Sequence, residues 1–415
     1  MTAEPKCSTV RLGCGLTVCT AEMQGFGTAC AQLGTRFGSA HLQYRSGGRL
    51  FALPPGTAHF LEHQLFKNED GDVDYQFAAL GAASNAYTEF DRTVYHFRTA
   101  EHFPEALALL LDFVQRPYFA AESVENERSI IAQELDEALD DPDDRLFFTL
   151  LEGLYHTHPV RFDAVGTHES IRQITPEILH RSWESFYRPQ NMILCCAGDL
   201  HTETVCETAE RLFAGAPPMQ AETLMPEEPE TVAHSFLSRK MSVGKPLFAV
   251  GFKCPPVTGD ALERTVLLGT LALELIAGSA SPFTERMLSE GLLTDALSVD
   301  CSAGDGWFTL FLEGESDDPQ AVTDALLREI ETARQQGLDA KRFGTLRRCG
   351  YGDLLISRNS PPAMADAMMQ AAAAGLSAHD LRLRLLRQIT LQDAEACMAA
   401  LLRPDRMTLA VIEPA

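Results

Sequence analysis

The feature that most constrains this chain is a repeat concealed at long range. The run RQIT occupies Arg172–Thr175 and returns at Arg387–Thr390, an offset of 215 residues. In the same register Arg188, Pro189, Met192 and Leu194 recur as Arg403, Pro404, Met407 and Leu409. Eight identities over 23 positions in one register indicate a duplicated unit. Each copy reads as a helix, an Arg-Pro corner and an apolar strand, MILCCAG in one and MTLAVIE in the other. A chain of 415 residues built this way folds as two similar domains rather than one large core. Residues 1–214 form the first and 234–415 the second. Between them 215–233, rich in Pro and Glu and poor in periodicity, suits a solvated linker.

Within each half, strands are grouped and then followed by runs of helices. The first half offers strand-like RLGCGLTVCTA and SAHLQYRSG, a hairpin in SNAYTEFDRTVYHFR, and helices near 102–115, 121–139 and 143–154. The second offers the strand PLFAVGFKC, a long apolar helix near 260–277, and strands near 295–302 and 307–314. This grouping predicts an α+β fold, each domain a mainly antiparallel sheet with helices packed on it.

The chemistry concentrates in GTAHFLEHQLF, residues 56–66. His59 and His63 are one helical turn apart and share a face, with Glu62 beside them. Two imidazoles so placed can reach one ion, and Glu62 can take a proton from a water next to it. The bland alternative is a polar patch on a surface helix. A third ligand is needed. In AESVENERSIIAQELDEALDD, Glu127 and Glu134 stand two turns apart on one helix face, so one can complete the site and the other can orient it.

Composition removes several function classes. The charge is −24, from 58 acidic against 34 basic residues, which repels phosphate backbones and anionic lipid. Nucleic acid and membrane partners are therefore not expected. No apolar run of the ~18 residues of a membrane span stands out, and the start MTAEPKCSTV has no signal-like pattern. Eleven cysteines without a C-x-x-C read as reduced thiols, so a cytoplasmic location is expected.

The motif HFLEH resembles the inverted H-x-x-E-H zinc motif of the pitrilysin, insulysin and mitochondrial processing peptidase family. SNAYTEFDRTVYHF is similar to the hairpin that follows it in that family, ENERSIIAQEL to the downstream ligand helix, and YHTHPV and FYRPQNMILCCAGDL to later segments in order. The likeness is closest to short bacterial members of about 400 residues. It implies a zinc peptidase whose two domains face each other around a chamber. His59, His63 and Glu127 become the expected zinc ligands, Glu62 the general base and Glu134 a supporting carboxylate. Asn85 and Ala86 match positions on an edge strand that holds an extended peptide by backbone pairing.

One departure bears on assembly. Family members that work alone, and the noncatalytic subunits of paired ones, carry an Arg and a Tyr in the second domain. Here SPFTERMLSEGLLTDALS places Ser289 at the arginine position and Thr294 or Asp295 at that of the tyrosine, with Arg286 one turn earlier as a substitute. The second half also lacks an H-x-x-E-H. The expectation is a zinc endopeptidase completed by a homologous noncatalytic subunit. A non-proteolytic scaffold subunit, or an amidohydrolase using the same ligands, are the alternatives.

Overall fold

The computed structural model describes residues 5–69 and 71–415. In the first half the strands are Lys6–Arg11 (β1), Thr17–Glu22 (β2), Ala29–Thr35 (β3), Gln43–Ser46 (β4), Arg49–Ala52 (β5), Lys67–Asn68 (β6), Gly71–Asp72 (β7), Ala83–Thr88 (β8), Thr93–Thr99 (β9), Met192–Gly198 (β10) and Ala221–Thr223 (β11). Its helices are Thr57–Leu65 (α1), Val73–Ala79 (α2), Phe103–Phe113 (α3), Ala121–Asp140 (α4), Pro142–Leu154 (α5), His168–Gln173 (α6), Pro176–Phe186 (α7) and Thr202–Leu212 (α8). The second half supplies Phe236–Met241 (β12), Leu247–Lys253 (β13), Ser298–Gly304 (β14), Trp307–Glu315 (β15) and Met407–Pro414 (β16). With them come Gly259–Ala277 (α9), Pro282–Ser289 (α10), Pro319–Gln336 (α11), Ala340–Ser357 (α12), Pro361–Ala373 (α13), Leu381–Gln388 (α14) and Leu391–Leu401 (α15).

Two sheets carry the fold. The first runs β1-β2-β10-β3-β9-β8 and the second β12-β16-β13-β15-β14. In the first only the β2–β10 pair is parallel, and in the second only β12–β16. From β2 onward the two orders therefore match strand for strand, with β10 equivalent to β16. This is the duplication written in the repeat. Thr175 and Thr390, the last residues of the two RQIT runs, are the N-caps of α7 and α15, accepting from Ile178 N at 3.4 Å and Asp393 N at 3.2 Å.

The compact units are interleaved in sequence. One holds the residues up to Leu135 with Asp163–Leu224 and Leu355–His379; the other holds Asp136–Phe162, Met225–Leu354 and Asp380–Ala415. The contiguous bounds 1–214 and 234–415 thus leave out an exchange of helices. α13 lies on β2, β10 and β3, where Met364, Met368 and Met369 cover Cys19, Cys30 and Cys195. In the other unit α5 lies on β12, β16 and β13, with Phe147 against Phe311 at 5.5 Å between ring centroids. Each helix needs a strand with no side chain beneath it. A Cβ at Gly34 of β3 would meet Met369 Sδ at 2.9 Å, and one at Gly251 of β13 would meet Leu150 at 2.9 Å. Covered on both faces, β3 and β10 are buried along their whole length, as central strands between two helical layers must be.

Two expectations need correction. The segment 215–233 is not simply a solvated linker: β11 pairs with β4, and Glu228 is buried beside Lys253. Also, Gly259–Ser289, spanning α9 and α10, is long and apolar enough to cross a membrane by length and composition. Its Leu267, Leu271, Leu273 and Leu275 are buried in the second unit, as in the core helix of a globular domain.

Glu228 organises the exchanged segment after α5. Its carboxylate accepts the N–H groups of His156, Thr157 and His158 at 2.8, 2.7 and 2.8 Å, and also bonds the Lys253 ammonium. Burial disfavours both charges. For Lys253 burial wins and its pKa falls below the ordinary value. For Glu228 the donors outweigh burial and hold its pKa down at about 2. We expect Glu228→Gln, which strands a buried ammonium, to lower stability by about 3 kcal/mol at neutral pH. Because the folded pKa is depressed, that contribution is complete above the ordinary 4.5 and lost as pH falls toward about 2. Urea unfolding of both proteins across that range measures it; a gap that stays constant with pH would show that the charge is not the source.

Candidate metal centre

The helix α1 begins abruptly. Gly56, its N-cap, has φ 88°, and a Cβ there would meet the Val165 carbonyl oxygen at 2.4 Å. Only glycine turns the chain so tightly against that backbone, and this fixes where the first helical turn, and hence His59, begins. Almost every residue of α1 is buried, Glu62 and His59 included. Two charged or polar groups in such a place demand partners.

The partners come from α4 and β8. Glu134 Oε1 lies 3.4 Å from His59 Nε2, and its Oε2 lies 3.4 Å from His63 Nε2. Donor atoms of His59, His63 and Glu134 all fall within 4.8 Å of one another. Glu127 is elsewhere: its Oε1 is 2.9 Å from His63 Nδ1, and its Oε2 is 3.7 Å from Lys67 Nζ. Lys67 in turn holds Asp72 at 2.7 Å across the short β6–β7 pair. An imidazole points its two nitrogens in divergent directions, so the carboxylate on Nδ1 cannot share an ion with Nε2. The structure therefore gathers Glu134, rather than the expected Glu127, with the two histidines. Glu134 sits with the histidines where an ion would be, and Glu127 orients His63 from behind.

Charge follows geometry. Burial lowers the pKa of His63, but the Glu127 hydrogen bond and the surrounding carboxylates reverse this and raise it overall. A hydrogen bond from His59 holds Glu134 below the ordinary carboxylate range. Burial raises Glu127, and His63 with Lys67 more than offset it. Glu62 goes the other way: burial pushes its pKa up despite the two histidines. Its Oε2 accepts a hydrogen bond from Thr88 Oγ1 at 2.5 Å, and Thr88 is steadied by Thr93 at 3.2 Å. Thr88 and Lys67 were not among the residues expected from the sequence. Thr88 lay inside the quoted hairpin and Lys67 directly after the motif, but nothing in their spacing distinguished them.

The donor set fits a zinc ion. It offers two imidazole nitrogens and a carboxylate oxygen within 4.8 Å of one another, and the neighbouring ammonium, Lys67, is engaged by Glu127 and Asp72.

Asn85 and Ala86 lie on β8, the edge strand of the first sheet, pairing with His96 and Tyr95 on their inner side. On the outer side the Ala86 N–H donates to Asn85 Oδ1 at 2.8 Å. In the second half, Arg286 bonds Glu329 at 2.7 Å and stacks over Phe283, so its charge is engaged on its own domain. Ser289 donates to the Arg286 carbonyl at 2.8 Å, and Thr294 accepts from Lys245 at 3.2 Å.

The chain is similar to known proteins over most of its length. Over 409 residues the chain is 32% identical to an uncharacterised zinc protease of Bacillus subtilis, YmfH, covering 96% of this chain and 95% of that one. A probable mitochondrial-processing peptidase subunit beta of Schizosaccharomyces pombe is 32% identical over 222 residues, 52% of this chain and 47% of that protein. The crystal structure of a protein described as M16-like peptidase from Alicyclobacillus acidocaldarius superposes with TM-score 0.94 at 31% identity, covering 100% of both chains. Residues 53–167 match the family described as Insulinase (Peptidase family M16), and 173–348 match that described as Peptidase M16 inactive domain. These matches span most of the sequence, and the chain belongs to the insulinase family of peptidases, M16.

Proposed function

We propose that the protein is a zinc-dependent endopeptidase of extended peptides and the catalytic subunit of a pair. The observation that carries this reading is the clustered trio His59, His63 and Glu134, with buried Glu62 held beside it by Thr88. His59, His63 and Glu134 would hold the zinc, and Glu127 keeps the His63 ring aimed through its Nδ1. When bound, zinc supplies a Lewis acid for the scissile carbonyl and draws the pKa of a water toward about 7. Glu62 takes a proton from the attacking water and returns it to the leaving nitrogen, and the raised pKa that burial gives it suits both transfers. Thr88 fixes the carboxylate that must perform them. The peptide adds to the β8 edge, displacing the Asn85 oxygen from Ala86 N–H, so backbone pairing holds it extended.

Partnership has separate support. The second half has no Arg and Tyr at the matched positions, and Arg286 is occupied by Glu329. The likeness to a protein named as subunit beta points the same way. A homologous subunit carrying the Arg and Tyr would supply the missing substrate contacts.

Three outcomes follow. Zinc content per chain, measured by metal analysis, should fall to near zero in Glu134→Gln and remain substantial, with affinity reduced about 10- to 100-fold, in Glu127→Gln. The opposite ranking would restore Glu127 as the ligand. In Glu62→Gln zinc should stay while peptide hydrolysis falls by about 100-fold or more; loss of metal would make Glu62 a ligand instead. The isolated chain should cleave peptides slowly even when zinc-loaded, and a homologous subunit bearing the Arg and Tyr should restore the rate. Brisk cleavage by the chain alone, unchanged in Arg286→Ala, would sink the partnership.

A further inference from the structure

On the face of the first sheet opposite α1, a cavity of about 400 Å³ opens beside the edge strand. It runs from Asn85 and Tyr87 on β8 past His96 on β9 to Gln32 on β3, with Asp366 of α13 as its far wall. Asn85, His96 and Gln32 form one cross-strand row, paired in register across three strands. The floor is unusual. Gln32 is 5% exposed, its amide nitrogen donates to Asp366, and its Oε1 has no hydrogen-bond partner among the described residues. A buried acceptor left open is costly, so something that donates hydrogen bonds belongs there. Asp366 is exposed on the other side of it and has no cation against it in an ion pair among the described residues. The lining's cation, exposed Arg98, stands at the Ala83 end of the cavity, two positions along from His96.

A strand added to β8 projects alternate side chains to the two faces of the sheet. Those on one face meet α1 and Glu62, since Thr88, which holds Glu62, shares the β8 face of Ala86. Those on the other face share the side of Asn85 and Tyr87, and enter this cavity. We propose that the cavity is a specificity subsite that takes a basic side chain from the alternate positions of the bound peptide, with Asp366 and Gln32 Oε1 as its acceptors. Lysine or arginine is long enough to reach the open acceptor across the exposed rim and brings the charge that Asp366 lacks. A leucine would leave Gln32 Oε1 unpaired, and a glutamate would face both acceptors with a third.

The proposal rests on peptide addition at the β8 edge. Its test uses the full chain carrying Glu62→Gln, which binds without cleaving. Fluorescein-labelled ten-residue peptides with Lys, Leu or Glu at every second position are titrated by anisotropy at physiological ionic strength. The Lys peptide should bind about tenfold more tightly than the Leu peptide, the size of one charge-assisted contact. Asp366→Asn keeps an acceptor for the Gln32 amide and should bring that ratio close to one. Asp366→Lys should reverse the order in favour of the Glu peptide. A Lys preference that survives both substitutions would be the general attraction of an acidic protein and would overturn the subsite. Equal binding of all three peptides overturns it too, leaving edge-strand binding intact. Failure of every peptide to bind overturns that reading as well.

Discussion

Glu127 holds one nitrogen of His63, and that bond decides which nitrogen remains for a metal. The rest of the site is arranged around the choice. With Nδ1 taken at 2.9 Å, Nε2 must face the space it shares with His59 Nε2 and Glu134. Lys67 then balances Glu127, and Asp72 balances Lys67, so the supporting charges extend away from the reacting side. Glu62 lies outside this chain of pairs. Among the described residues its hydrogen bond comes from a neutral hydroxyl, Thr88, and burial raises its pKa against the pull of the two histidines.

The scaffold beneath is a duplicated sheet, and the duplication reaches details no chemistry requires. Asn85 caps the Ala86 N–H on the edge of the first sheet; 215 residues later Asp300 caps Cys301 N at 2.7 Å on the edge of the second. Gly34 and Gly251 each clear the surface for an exchanged helix. The exchanged helices are themselves counterparts, since α5 at Pro142–Leu154 and α13 at Pro361–Ala373 lie close to the repeat offset. Neither unit completes the outer layer of its sheet from its own half of the sequence. Exposing either helix would uncover a central strand on one face, so each unit needs a helix from the other half of the sequence for its burial.

What the sequence made legible was periodicity and identity; what it hid was direction. The repeat was readable because Arg-Pro corners and N-cap threonines are tied to backbone geometry and recur letter for letter. The metal helix was readable because spacing of four residues defines a face. Spacing of seven gave the same face to Glu127 and Glu134 but not the depth of either side chain, and the two roles were interchanged. Strand β3, ACAQLGT, escaped notice because its small residues lack the β-branched and aromatic signature of a strand. They are small because helices press on both sides of it. The exchange of α5 and α13 was invisible for another reason: each is amphipathic, and amphipathicity says that a face is buried without naming the sheet that buries it.

The two capped edges keep one shape with different chemistry, an amide on the first sheet and a carboxylate on the second. A free edge N–H invites pairing with any passing strand, and a side-chain oxygen folded back on it blunts that hazard. The cap is weak, about 1 kcal/mol net for a neutral hydrogen bond, so an incoming peptide can displace it. What happens next differs. Once displaced, the Asn85 amide can still accept through its oxygen and donate through its nitrogen, matching the alternating groups of a peptide backbone. Displaced Asp300 has only acceptors, and they would face the carbonyl oxygens of the added strand with no proton to share. If an extended peptide adds to these edges as proposed, the same cap yields more readily on the first sheet than on the second. On that proposal, a single amide in place of a carboxylate would give the two halves of a duplicated fold different affinities for the same extended chain.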